Sequence, residues 1–258
     1  MNNAQTGKVW NQWTRLAESA PARFKRYGDL DRTKLTDDTA GDVALVALAT
    51  VAWNTALAES LTPVLQAVEI SLRNWLDRAV VAYKRQLKQP NADTWLLHPP
   101  HWVHPKDREL IDAARTKLED HVRQGKRVRF SHDDMVATTS FALWSNMVRS
   151  NTVWSALAMY KQGQITKSFS DRHALHKLLD DVRNLRNRAY HLEPIFVQPD
   201  IADIHDQALK LLQILDPRLG EIVRCIDRFP SVFNSGTGWQ AYRDLLFDHY
   251  GLGALGEP

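Results

Sequence analysis

Apolar residues recur at intervals of three and four along most of this chain, and that spacing leaves few architectures open. Val64, Leu65, Val68, Leu72, Trp75, Leu76 and Ala79 form one such row. A row at that interval lies on one side of an α-helix, whereas strands alternate at every second residue. The spacing predicts helices over Asp42–Leu61, with Leu45, Leu48, Ala49, Ala52 and Ala56 on one side, and from Pro63 to about Leu87. Thr62 and Pro63 fit the N-cap and first-turn proline of the second. Further helices are expected over Lys106–Arg123, Met135–Val148 behind a Ser131–Asp134 capping segment, Thr152–Tyr160, Ser170–Leu192, Pro199–Leu215, Arg218–Phe229 and Trp239–Tyr250. Between Gln89 and Pro105 four prolines and the lack of periodicity predict a long ordered loop. The expected fold class is all-α: one helical domain, core about 40–230, carrying that proline-rich loop, with a flexible N-terminus and a loose glycine-containing tail from Ser235.

Several function classes are excluded at this point. The chain has no phosphate-cradling glycine loop, no G-x-S-x-G elbow and no dinucleotide fingerprint. The longest apolar run, Val43–Trp53, is too short to cross a bilayer. The opening MNNAQTGKVW has no apolar stretch of the signal-peptide kind, so a cytoplasmic location is expected. Cys225 is the single cysteine and has no internal partner. It sits in the apolar stretch Ile222–Ile226, which predicts a core role. Net charge is only +3, from 33 basic and 30 acidic residues. Local excess matters more: Lys8, Arg15, Arg23, Lys25, Arg26, Arg32 and Lys34 crowd the first 35 residues, and Lys126, Arg127 and Arg129 form a second group. Such patches suit a polyanion or simply a solvated surface.

The stretch richest in chemistry is Asp171–Phe196, DRHALHKLLDDVRNLRNRAYHLEPIF. At about 100° per residue, Leu178, Val182, Leu185, Ala189 and Leu192 fall within about 80° of one another. The far side gathers His173, His176, Asp180, Arg183, Asn184, Arg186, Asn187 and His191. An ordinary solvated face would mix Lys and Glu there. Donors and imidazoles are instead what handling a phosphate requires. Imidazole is the side chain that serves as base or acid near neutral pH, and guanidinium offers a planar fork to phosphate oxygens.

Arg186-Asn187-Arg188-Ala189-Tyr190-His191 resembles the R-x4-6-H signature of HEPN ribonucleases. The longer LRNRAYHLEPIF is similar to the corresponding segment of the Abi-like abortive-infection proteins (the AbiD/AbiF group). VEISLRNWL at Val68–Leu76 and SFALWSNMV at Ser140–Val148 resemble two other segments of that family in the same order, with AWNTALAES ahead of both. The resemblance spans roughly Val43 to Leu215. Leu192 stands where a second histidine is common, Tyr190 where a small residue is, and Ala142 where glycine is.

The resemblance implies a HEPN-type helical bundle with additional helices and an endoribonuclease used in phage defence or as a toxin. RNA is the implied substrate, with no metal or other cofactor. Arg186 and His191 are implied as catalytic, with Asn187, Arg183, Asn184 and Tyr190 supporting them or binding RNA. Glu69 and Arg73 either support the site or form a salt bridge that holds two helices together. One motif supplies one imidazole, so a homodimer is expected; an antitoxin or small non-coding RNA is a further expected partner. The alternative is a non-catalytic HEPN module that binds RNA or a protein. His98, His101 and His104 read as loop packing rather than a metal cluster. His173, His176 and Asp180 have metal spacing but fit better as groove lining or as hydrogen-bonding support.

Overall fold

The structure, a computed structural model, describes Tyr27 and residues 40–169, 171–234 and 238–249. The described residues are helical and contain no strand. The expectations for the basic N-terminal cluster and for the loose ends fall outside them. In order come α1 (Ala40–Gln86), a 3-10 turn (Ala92–Thr94), α2 (Pro105–Arg123), α3 (His132–Thr138), α4 (Phe141–Met147), α5 (Asn151–Met159), α6 (Gln164–Ser168), α7 (Arg172–Tyr190), α8 (Ile201–Leu215), α9 (Pro217–Ile226), α10 (Phe229–Phe233) and α11 (Trp239–His249). None is long and apolar enough to cross a membrane. The chain divides into two compact units: Met1–Thr62 with Arg188–Ile201 and Asp227–Pro258, and Pro63–Asn187 with Ala202–Ile226.

Five expectations need correction. The two helices expected before residue 87 are one helix of 47 residues that runs through Pro63. Thr62 is no cap: its Oγ1 donates back to Ala58 O at 2.9 Å, and Ser60 Oγ donates to Leu57 O at 2.8 Å. An interior proline costs about 3 kcal/mol. Leu61, Val64 and Leu65 are all buried on either side of it. Each buried side chain of that size contributes about 1.5–3 kcal/mol, so burial wins. The inward side of the first half is also different. Ala49 is buried, but Leu48, Ala52 and Ala56 are only half-buried, and the buried row is Ala47, Thr50, Asn54, Leu57 and Leu61.

The helix expected over Met135–Val148 is two helices, with Thr139 and Ser140 extended between them. The buried indole of Trp144 needs an acceptor, and Thr139 Oγ1 supplies it at 3.0 Å while donating to Val136 O. The capping box does form: Ser131 Oγ accepts from Asp134 N, and Asp134 accepts from Ser131 N. Cys225 is exposed rather than in the core. Gly220 and Val223 are the buried positions of α9. Ile222 and Ile226, on the side that Cys225 shares, are 59% and 55% exposed. Finally Leu192, expected on the apolar face of α7, is 40% exposed because the helix has ended before it.

In the second unit the segment from Gln89 to Pro105 consists of turns, the 3-10 turn and buried Trp95, Leu96 and Val103. Trp95 meets Trp144 edge-on with centroids 6.1 Å apart. Asp77 Oδ1 accepts from Trp95 Nε1 at 2.8 Å and lies 2.7 Å from His132 Nε2. These ties hold the segment against α1 and α3, the work that periodic packing does elsewhere.

Candidate functional site: the motif helix and its C-terminal cap

α7 starts where Asp171 Oδ1 accepts from the backbone N–H groups of His173 and Ala174, at 2.7 and 2.9 Å. This is an N-cap, and those two bonds hold the Asp171 carboxyl below its ordinary range. Leu175, Leu178, Leu179, Val182, Leu185 and Ala189 bury one face. The polar stripe lies on the other side, and its members have distinct surroundings.

Arg186 belongs to the second unit. Its Nε lies 3.4 Å from Glu69 Oε2, and its Nη1 donates to Asn187 Oδ1 at 3.3 Å. Glu69 is also bonded at 2.5 Å by Arg73, one turn further along α1. Arg73 in turn donates to Ala137 O at 2.6 Å, placing its positive charge on the last carbonyls of α3. Glu69, Arg73 and Arg186 are therefore brought together, with one carboxylate shared by two guanidiniums. Glu69 and Arg73 are nearly buried, with side chains 12% and 14% exposed, while Arg186 keeps 34%. The pair fits support of a neighbouring guanidinium and an internal salt bridge alike.

Arg183 is committed elsewhere. It donates to Ser145 Oγ at 2.8 Å and Asn146 Oδ1 at 3.2 Å, and pairs with Asp180 at 2.8 Å. Asn146 then donates to the buried Asp107 at 3.1 Å. This chain ties α7, α4 and α2 together. Substrate contact is not what these bonds describe. Asn184 and Asn187 are exposed on the same helix.

His176 Nδ1 lies 3.3 Å from Asp180. Its own burial, with Arg149, Arg183 and His173 adding to it, holds the imidazole below its ordinary value against the pull of Asp180. The folded protein therefore takes up this proton less readily than the unfolded chain. Stability is full above about pH 6.5, the unfolded imidazole value, and is lost as pH falls below it. Thermal unfolding at pH 7.5 and 5.5 checks this. Wild type is expected to lose more than His176→Gln, and equal losses would remove His176 from the account.

In the first unit the end of the helix is a built structure. Leu192 N donates to Ala189 O at 3.2 Å and Glu193 N to Arg188 O at 2.9 Å. That is the Schellman arrangement, with His191 at the cap and Leu192 left-handed at φ 51°. Glycine is the usual residue there, and a leucine costs about 1–2 kcal/mol. Surrounding bonds hold it. Tyr27 Oη donates to Leu192 O at 2.8 Å, and Arg188 donates to Pro194 O at 2.7 Å. Buried Asn54 donates to Glu193 O at 3.1 Å and to Tyr27 Oη at 3.0 Å, and accepts from Ile195 N at 2.8 Å. Phe196 packs on Trp53 with centroids 5.2 Å apart. His191 is thereby held exposed immediately beyond the helix, and Tyr190 beside it is exposed too.

Five residues on a straight helix would point about 140° apart. His191 lies one residue past the end of α7, and the left-handed turn follows at Leu192. Asn54 and Tyr27 escaped sequence reasoning; the one signal was an asparagine within a mostly apolar helix.

His98, His101 and His104 are exposed, and His104 Nδ1 accepts from Lys106 N as the cap of α2. Among the described residues no three His, Cys, Asp or Glu side chains are grouped to hold a metal ion. Compared with known proteins, the chain matches no family model, no curated protein and no solved structure.

Proposed function

We propose that the protein is a metal-independent endoribonuclease of the HEPN type, acting in phage defence or as a toxin. What carries the reading is the R-x4-H motif on α7, whose histidine is exposed at a fully bonded helix cap and whose arginine is held by Glu69. The bonded cap fixes the backbone that carries this exposed imidazole, and positioning is part of what a protein supplies to catalysis in advance.

RNA cleavage of this kind needs three things. A base takes the proton of the ribose 2′-hydroxyl, whose oxygen then attacks phosphorus. Positive charge stabilises the crowded phosphorane, and an acid returns a proton to the departing 5′-oxygen. His191 serves as base or acid, and Arg186 as the charge stabiliser. The products are 2′,3′-cyclic phosphate and 5′-hydroxyl ends. One imidazole per chain leaves either base or acid unfilled, so the active species in this reading is a homodimer that brings a second His191. An antitoxin or a small non-coding RNA would restrain it.

Purified protein incubated with total RNA in excess EDTA tests the reading. Cleavage should persist, with cyclic phosphate at the new ends. Activity that disappears with chelation and returns with magnesium or manganese would overturn the metal-independent mechanism. No cleavage under any condition, with RNA still bound, would favour the non-catalytic RNA-binding module.

A further inference from the structure

The second unit contains a cavity of about 390 Å³ that shares no residue with the Arg186/His191 motif. Its wall is made by one face of α1 at residues 70–78, the turn at Tyr160 and Lys161, and the residues from Leu215 that lead into α9. Two buried polar groups on that wall lack a protein partner. Ser71 is 7% exposed and Trp75 4%, yet neither Ser71 Oγ nor Trp75 Nε1 is hydrogen-bonded. Buried donors are nearly always bonded. Both residues stand on the wall, with these two atoms shielded behind its surface.

The remaining chemistry of the wall says what the cavity accepts. Arg78, Lys161 and Arg218 line the same cavity, and among the described residues none of the three is ion-paired. Lys161 is held in an unusual way. It and Gln162 are consecutive non-glycine residues in the left-handed region, at φ 45° and 58°. Strained backbone of this sort persists where the fold over-determines it, and ligand sites are where it collects. Here it suspends the ammonium 4.2 Å over the Trp75 ring. The one carboxylate on the wall, Asp216, is already engaged, its Oδ1 accepting from Leu219 N at the start of α9. The lining therefore sets three cations against one carboxylate, and that positive balance matches an anion.

The anion is attached to a body. Ile70, Leu215, Pro217 and the Tyr160 ring supply an apolar side to the cavity. Its volume is in the range that accommodates small organic ligands rather than a bare ion. From these features we infer that the cavity binds a phosphomonoester of nucleotide size. The phosphate meets Arg78, Lys161 and Arg218, and the base lies against the apolar side.

Isothermal titration calorimetry on the full chain tests this with adenosine 5′-monophosphate, adenosine and inorganic phosphate. The monophosphate should bind at one site per chain, and adenosine at least about tenfold more weakly. The double variant Lys161→Asn/Arg218→Ala should weaken monophosphate binding about tenfold or more. Both side chains are exposed, and asparagine tolerates the left-handed turn, so the variant keeps its fold. His191→Ala should bind as wild type does. Absence of monophosphate binding overturns the inference, as does unchanged binding by the double variant. Loss of binding in His191→Ala would assign the ligand to the motif helix instead. Phosphate alone binding as tightly as the nucleotide would overturn the nucleotide assignment.

Discussion

If the protein is the proposed ribonuclease, His191→Ala and Arg186→Ala should each lower RNA cleavage by about two to four powers of ten, the usual effect of losing an acid–base group or a charge stabiliser. Both variants keep their fold. His191 is exposed, and no protein hydrogen bond of the cap runs through its side chain. Removing Arg186 leaves Glu69 still paired with Arg73 at 2.5 Å, so no buried charge is stranded. Arg186→Lys keeps the positive charge but loses the planar fork, and should recover only part of the rate. Gel assays on single-turnover cleavage measure all three, with circular dichroism to verify folding. Mixing tests the composite site: wild-type chains titrated with excess His191→Ala chains should lose activity per wild-type chain. A His191→Ala protein that cuts at the wild-type rate removes the catalytic assignment, and a fully active monomer removes the shared site.

The second large effect concerns stability. Asn54→Ala deletes three hydrogen bonds at a buried position, two of them to the backbone of Glu193 and Ile195. An unsatisfied buried partner costs about 1–3 kcal/mol. Because Tyr27 and the solvent-facing side of the cap relax in part, the loss should total about 2–4 kcal/mol, or roughly 5–15 °C in Tm. Cleavage should fall as well, although no reacting group is removed, because the backbone that carries His191 loses its tether. Differential scanning calorimetry reads the first effect. A Tm within about 2 °C of wild type would show that the cap holds without Asn54.

The sequence by itself determined the helical class and most helix limits, because those depend on neighbours in the chain. Ser131 with Asp134, and Asp171 with His173 and Ala174, cap helices through bonds spanning two or three residues. α2, α5 and α11 end within a residue or two of where periodicity and breakers put them. The polar stripe of α7 was legible for the same reason, since a face is a matter of spacing along one helix.

Contacts distant in sequence decided everything that depends on which surface becomes covered. Asn54 lies 139 and 141 residues before the groups it bonds, so nothing near it in sequence announces its role. The continuation of α1 through Pro63 follows from burial of Leu61, Val64 and Leu65, which outweighs a local rule. Trp144 takes Thr139 out of the helix to satisfy one buried indole. The place of Arg183 on the polar stripe was legible, but its bonds to Ser145 and Asn146 on another helix were not. Cys225 and its apolar neighbours face outward because α9 has two apolar sides and packing covered the one with Gly220 and Val223. Local bonding sets where a helix starts and stops; only burial, which is a property of the assembled fold, selects the face that is used.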